Sequence, residues 1–363
     1  MLVDDSAIIR GLITKMISPD PGIEVVASVG DGAQAVKRLA RSKIDVIVLD
    51  IEMPVMDGLT ALPKLIELDP NVKIIMASTL TERNASVSLK ALNAGAADYV
   101  PKPTSTGKIA AADDFRRELV EKIKTLGIAA RRDAGRPVPS ATAKQGDKTA
   151  TAPSSLYSGP VILRKATNVL PPKILAIGSS TGGPQALLAL FAKLKPILGI
   201  PVVITQHMPP TFTRILAEHI TKASEWTCTE AQEGDVLEPN HAYMAPGDFH
   251  MEIQGTPQEA KIHVHQDPPE NFCRPAVDPM FRSVTKVYGG NVLGIILTGM
   301  GQDGLKGAKV VTDAGGTLFA QDEKTSVIWG MPGAVATAGL CSAVSPLEQL
   351  GPRIMDFMGK AGR

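Results

Sequence analysis

The sequence predicts an α/β protein made of two doubly wound parallel-sheet domains joined by a linker. Three observations predict it. In both halves, unbroken apolar runs of strand length alternate with segments of helical period, the pattern of strands covered on both faces. The chain has 363 residues, which suits two domains of ~100–200 residues each. Between the halves, a stretch rich in Ala, Pro, Thr, Ser and Lys carries neither period, as a linker does.

In the first half, Ile8, Ile9, Leu12, Ile13, Met16 and Ile17 repeat at helical spacing. Ile23–Val26, Asp45–Leu49, Val72–Met76 and Asp98–Val100 read as strands, and Phe115, Leu119, Val120 and Ile123 mark a last amphipathic helix. In the second half, Ile174–Ile177, Val202–Thr205 and Leu293–Leu297 read as buried strands, followed by helices over Pro184–Leu194, Phe212–Ser224 and Gly304–Thr312. Asp235–Gln266 is turn-rich with short alternating pieces, which predicts one or two added hairpins. The resulting division is a domain over 1–126, a linker over 127–172 and a second domain over 173–363.

Composition narrows the class. Hydrophobic residues make up 44% and charged ones 21%, enough apolar content for two cores. No apolar run reaches the ~18–20 residues that span a bilayer, and the start Met-Leu-Val-Asp-Asp lacks a signal peptide's basic and apolar regions. Cys228, Cys273 and Cys341 are odd in number and widely spaced, so they predict neither a disulfide framework nor a zinc site. They read as small buried hydrophobes in a reducing cytoplasm. Net charge is −1 over residues 1–126, +5 over 127–172 and −3 over 173–363, so neither domain shows the basic surplus of a nucleic-acid binder. The linker's positive charge reads as solvated.

Ligands of parallel sheets bind at the carboxyl ends of the strands. Asp4-Asp5 follows Leu2-Val3, Asp50 follows Val46–Leu49, Ser78 ends the Ile74–Ala77 run, and Lys102 follows Tyr99-Val100. Three converging carboxylates suit a hard divalent cation such as Mg²⁺. A carboxylate held beside it can attack phosphorus, with Lys102 and Ser78 placed to meet the new phosphoryl charge. The set Asp4-Asp5, Asp50-x-x-Met53-Pro54-x-x-Asp57-Gly58, Ser78, Lys102-Pro103 resembles the receiver domain of bacterial response regulators. The resemblance implies that Asp50 is phosphorylated, that Asp4 and Asp5 help it hold Mg²⁺, that Ser78 and Lys102 sense the phosphoryl group, and that Tyr99 is the switching aromatic. One departure stands out: only Met1-Leu2-Val3 precede the acidic pair, where the family has a longer apolar strand. That predicts a truncated first strand and a less stable receiver.

In the second domain, Ile174–Ile177 runs into Gly178-Ser179-Ser180-Thr181-Gly182-Gly183-Pro184. Gly178-x-Ser180-x-Gly182 fits a nucleophile elbow, a tight strand-to-helix turn that exposes a serine. A serine needs a base to take its proton. His207 stands just past the second strand and Asp303 past the third, so Ser180, His207 and Asp303 compose a triad on one sheet edge. A dinucleotide phosphate loop is the competing reading, but it calls for an acid ~20 residues on, where this chain has Gln206-His207. His263-x-His265 lacks a third nearby metal ligand.

Six motifs then occur in order: Ser180-Thr181-Gly182-Gly183, Gln206-His207-Met208-Pro209, Met244-Ala245-Pro246-Gly247, Arg274-Pro275-x-Val277-Asp278, Leu297-Thr298-Gly299-Met300-Gly301-x-Asp303-Gly304 and Gly330-Met331-Pro332. Together they resemble the catalytic domain of the chemotaxis protein-glutamate methylesterases, the CheB family. The resemblance implies a Rossmann-like hydrolase with added hairpins behind a receiver-like domain. It implies hydrolysis of γ-glutamyl methyl esters on methyl-accepting chemotaxis receptors with release of methanol, and in many members deamidation of receptor glutamines. Ser180, His207 and Asp303 carry the catalytic roles, Thr181 and Met300 support the oxyanion, and residues 274–278 shape the substrate cleft. A chemotaxis histidine kinase is the expected phosphodonor. Ester hydrolysis itself needs no cofactor. The expected regulation has the unphosphorylated receiver covering the cleft. The alternative output is a non-hydrolytic nucleotide- or DNA-binding domain.

Overall fold

The computed structural model describes residues 1–79, 81–102, 109–137, 159–164 and 171–361. They fall into two compact units, Met1–Pro153 and Ser154–Arg363. The first unit alternates β1 (Leu2–Val3), α1 (Ala7–Ile17), β2 (Ser28–Val29), α2 (Gly32–Leu39), β3 (Val46–Asp50), α3 (Gly58–Leu68), β4 (Lys73–Ser78), α4 (Glu82–Asn93), β5 (Asp98–Pro101) and α5 (Ile109–Asp133). Its strands are parallel in the order β2-β1-β3-β4-β5. Helices α1 and α5 pack together, as do α2 and α3, and every residue of β3 is buried. Ser6, Asp31, Asp57 and Thr81 start their helices by accepting the N–H three residues on, which satisfies a donor left unpaired by the first turn.

Strand β1 is as short as the sequence predicts, yet it lies between β2 and β3. No strand forms at Ile23–Val26. The partner of β1 is Ser28–Val29, because only two residues of β1 are there to be paired, Leu2 with Ser28 and Val3 with Val29.

The expected boundary at residue 126 falls inside α5. Ala129 and Ala130 are buried, Lys73 pairs with Asp133 at 2.7 Å, and Arg131 and Arg136 bind the two oxygens of Asp45 at 2.8 and 2.9 Å. The first residues of the expected linker are thus helix packed on the sheet. Near its other end, Arg164 N–H donates to Cys341 O at 2.8 Å.

The second unit contains β6 (Ile174–Ser179), α6 (Gly183–Phe191), β7 (Val202–Gln206), α7 (Phe212–Ala223), β8 (Thr227–Glu230), β9 (His241–Met244), β10 (His250–Gln254), β11 (Lys261–His265), α8 (Val277–Tyr288), β12 (Val292–Ile296), α9 (Leu305–Asp313), β13 (Thr317–Gln321), α10 (Met331–Thr337), β14 (Ala343–Ser345) and α11 (Leu347–Ala361). Seven strands form one parallel sheet in the order β14-β13-β12-β6-β7-β9-β8. The predicted hairpin is β10–β11, antiparallel, with His250 opposite His265. From β6 the chain moves outward to β7 and returns to β12 on the other side of β6. The strand order therefore reverses between β6 and β12, and in such sheets the ligand crevice opens at the carboxyl ends of those strands. No helix among the described residues is long and apolar enough to cross a membrane.

Candidate active site

The turn after β6 is built by glycine. Gly182 has φ +76°, which L side chains rarely adopt. A Cβ on Gly183 would fall 1.9 Å from Gln206 Oε1. That amide, read in the sequence only as part of the Gln206-His207-Met208-Pro209 motif, braces the turn. Gln206 Oε1 accepts Ser179 Oγ–H at 2.7 Å, and its Nε2 donates to Ser180 O at 2.9 Å and His207 O at 3.2 Å. With Ser179 in register with Gln206, Ser180 and His207 emerge side by side at the sheet edge.

The third element comes from the loop after β12. Asp303 is 2% exposed. His207 Nε2–H donates to its Oδ2 at 2.8 Å, and Val277 N–H, from the first residue of α8, donates to the same oxygen at 2.6 Å. Its Oδ1 accepts Asn271 Nδ2 at 2.7 Å and Asp278 N–H at 3.3 Å. Burial pushes the Asp303 carboxyl up, but His207, the Val277 N–H and the Asn271 amide outweigh it and hold the pKa below the usual value. Asp278 goes the other way: burial and the charge of Asp303 raise it. Asn271, at φ +52°, also donates to Asp278 Oδ2 at 3.0 Å, so one amide ties the two acids together. Within the segment expected to shape the cleft, Val277 and Asp278 thus hold the carboxylate, and Arg274 is engaged with Asp248 at 2.6 Å.

The structure brings Ser180, His207 and Asp303 to one edge, but among the described residues no hydrogen bond joins Ser180 Oγ to the His207 ring. The ring's Nδ1 instead lies 3.3 Å from Cys273 Sγ. This corrects the reading of all three cysteines as buried hydrophobes. Cys228 and Cys341 are buried, and burial pushes both thiols up to about 12, whereas Cys273 is only half-buried and faces the imidazole. Burial opposes charge on His207, yet Cys273 and Asp303 prevail and raise its pKa to about 10.

Thr181 is buried, and its carbonyl accepts Thr298 Oγ1–H at 2.9 Å. Ser180 N–H donates to Thr298 O at 3.0 Å. A Cβ on Gly299 would come within 2.8 Å of Ser180 Cβ, so the chain after β12 runs hard against the serine. The next residue, Met300, has a backbone N–H with no acceptor among the described residues.

In the first unit the acids also converge. Ligand atoms of Asp4, Asp5 and Asp50 lie within 4.8 Å of one another, the group among the described residues that could hold a metal ion. Lys102 Nζ bridges Asp4 Oδ2 and Asp50 Oδ2, both at 2.7 Å. Burial raises the Asp50 pKa despite Lys102, and Asp4 adds to the rise. Burial works against charge on Lys102, but the two carboxylates raise its pKa. Ser78 is turned toward the Ser88 hydroxyl at 3.0 Å. Tyr99 is buried, with Lys122 Nζ 5.3 Å from its ring centroid. A cavity of about 420 Å³ opens beside this cluster, lined by Asp5, Glu52, Asp57 and Arg83 among others. Glu233 receives His263 Nδ1 at 3.2 Å, and His263 stacks on His265 with ring centroids 5.3 Å apart.

Fold and site together define a response-regulator-type receiver followed by a serine-hydrolase-type α/β domain. The family model for the CheB methylesterase matches residues 175–354, and that for the response regulator receiver domain matches residues 1–113. A protein-glutamate methylesterase/protein-glutamine glutaminase of Azospirillum brasilense is 56% identical, with 99% of this chain and 93% of that protein aligned. One from Paramagnetospirillum magneticum is 54% identical over 99% and 96%. The crystal structure of the Thermotoga maritima CheB methylesterase catalytic domain superposes with a TM-score of 0.50 at 38% identity, covering 51% of this chain and 98% of that one. The chain belongs to the CheB family of protein-glutamate methylesterases. These matches favour the hydrolytic output over the nucleotide- or DNA-binding alternative.

Proposed function

We propose that the chain is a phosphorylation-controlled esterase of the cytoplasm that hydrolyses γ-glutamyl methyl esters on methyl-accepting chemotaxis receptors and deamidates receptor glutamines. The observation that carries this reading is the His207–Asp303 pair, 2.8 Å apart, standing beside Ser180 at the switch point of the sheet. Ser180 Oγ attacks the ester carbonyl carbon while His207 takes its proton. The tetrahedral adduct collapses, the bond to the methoxy oxygen breaks, and His207 returns the proton to give methanol. Water repeats the sequence on the acyl-enzyme, breaking the bond to Ser180 Oγ, freeing the receptor's glutamyl carboxylate and restoring Ser180. With a glutamine the leaving group is ammonia. Asp303 fixes the imidazole and stabilises its charged form. The Met300 N–H, in the loop after β12 and next to the Gly299 that abuts Ser180, donates to the developing oxyanion, with Thr181 supporting the turn.

In the receiver, Asp50 takes a phosphoryl group from a chemotaxis histidine kinase. Asp4, Asp5 and Asp50 form an all-oxygen set that fits Mg²⁺. They would hold it, and the ion would supply positive charge beside the phosphoryl oxygens. Lys102 pairs with the new charge, Ser78 turns from Ser88 toward it, and Tyr99 follows. The test is methanol release from methylated receptor membranes by the full chain, with and without a small phosphodonor, against Ser180→Ala. Donor-stimulated release that vanishes in the mutant supports the reading. No release from folded parent protein overturns it.

A further inference from the structure

We propose that Cys273 is a positioning residue that restrains the esterase, its thiol holding the nitrogen of His207 through which Ser180 must be deprotonated. The inference rests on the reading of His207 as general base. An imidazole has two ring nitrogens. Asp303 Oδ2 engages Nε2 at 2.8 Å, which leaves Nδ1 as the position able to take a proton from Ser180. Cys273 Sγ sits 3.3 Å from that Nδ1.

Both protonation arrangements of the pair lead the same way. If the S–H donates to Nδ1, the lone pair is occupied. If the proton has passed to the ring, a thiolate faces an imidazolium that has no lone pair to offer, and the charge-assisted contact stabilises that form. From the same position the thiol has a second acceptor, since Sγ also lies 3.5 Å from Asn271 O. With the S–H turned to that carbonyl, the Nδ1 lone pair is free. Cys273 follows Asn271 and Phe272, both at positive φ and the latter 78% exposed, so the loop carrying the thiol is open to a substrate arriving at the cleft.

The titratable and charged groups facing His207 are Cys273, from the loop before α8, and Asp303, from the loop after β12. Behind Asp303 stand Asp278 and the mutually paired Glu270 and Arg282. Cys273 is therefore the one that can be removed without disturbing the carboxylate that orients the ring. The base is competent above the folded pKa of His207. Removing a group that raises this pKa moves the onset of activity to lower pH.

The experiment is the pH profile of kcat and KM for methanol release by the full-length parent, Cys273→Ala, Cys273→Val and Ser180→Ala. The expected result for Cys273→Ala is an acidic limb of kcat moved down by about one pH unit. At pH 7 its kcat should rise about three- to tenfold, the factor of one net hydrogen bond, with KM unchanged. Cys273→Val fills the place of the thiol with a side chain that has neither donor nor acceptor for Nδ1, so its limb moves the same way and settles the matter if the alanine variant does not fold. Limbs that coincide with the parent's overturn the inference and leave the esterase reading intact, provided Ser180→Ala is inactive. Activity lost in folded Cys273→Ala and retained in Ser180→Ala overturns both, because the thiol would then be the nucleophile.

Discussion

Asp50 and Asp303 occupy the same kind of place, the carboxyl edge of a parallel sheet, and are 4% and 2% exposed. Burial alone should raise both pKa values, yet Asp50 is raised and Asp303 is lowered. The difference lies in what faces each carboxylate. Asp50 accepts one backbone N–H, from Ile51 at 2.7 Å, and shares Lys102 with Asp4. Asp303 accepts two N–H groups from the start of α8, the Asn271 amide and the His207 ring, and a helix N-terminus favours negative charge. One edge thus keeps an acid only partly compensated, by one N–H and a shared lysine. The other favours the ionised form of an acid that stands behind the His207 ring.

The largest effect that tests this contrast is on turnover. Asp303→Asn retains the shape but removes the charge that orients and stabilises the imidazolium, so kcat should fall by about 10⁴, as for the equivalent loss in a serine triad. A fall below tenfold would break the assignment of Asp303. Stability should move too. Because the folded pKa of Asp303 is depressed, its ionised form contributes stability above the unfolded value of ~4 that is lost as pH falls through the folded pKa. Asp303→Asn should therefore melt lower than the parent at pH 7, with the gap closing in acid.

Asp50→Asn should do the reverse. A raised folded pKa means the fold disfavours the ionised carboxylate, so stability falls as pH rises through the Asp50 titration. The asparagine variant should melt higher than the parent at pH 7 and take up no phosphoryl group from a small donor. A lower melting temperature would show that pairing with Lys102 outweighs burial, making the two acids alike.

Asn271→Ala gives a smaller effect. It leaves Asp303 Oδ1 and Asp278 Oδ2 each short of a partner, at a cost of about 1–3 kcal/mol. If that strain reaches the ring, kcat should fall roughly tenfold, with KM little changed. Unfolding midpoints and kinetics on the same protein separate the two effects.

Asn271 also marks where the sequence stops being legible. Ser180, His207, Asp303 and Asp50 each follow an unbroken apolar strand, so their place at a sheet edge can be read from the chain. Asn271 and Cys273 sit in a loop of positive-φ residues, where no period leads to them and the contacts they make are set by tertiary folding. The edge strand β8, Thr227–Glu230, lacks an apolar run because its exposed residues lie at the rim of the sheet, and its neighbour β9, His241–Met244, is only four residues long. Conversely, Ile23–Val26 has the composition of a strand and finds no partner, since pairing depends on β1.

The end of α5 is the smallest and most local case. Arg131-Arg132-Asp133 reads as linker because charged residues carry no hydrophobic period, but in the structure its charges are what tie the helix end to the sheet, Arg131 to Asp45 and Lys73 to Asp133. These groups are partly exposed, Arg131 by 38% and Asp45 by 23%, and solvent screens such pairs to about 0–1 kcal/mol. Arg131→Ala should lower receiver stability within that range, more in low salt than in high, and leave turnover unchanged. Hydrogen exchange across 127–133 is the sharper readout: protection that falls there, while β3 stays protected, means the ion pairs hold the last turns. Protection that is unchanged assigns that hold to the buried Ala129 and Ala130 instead.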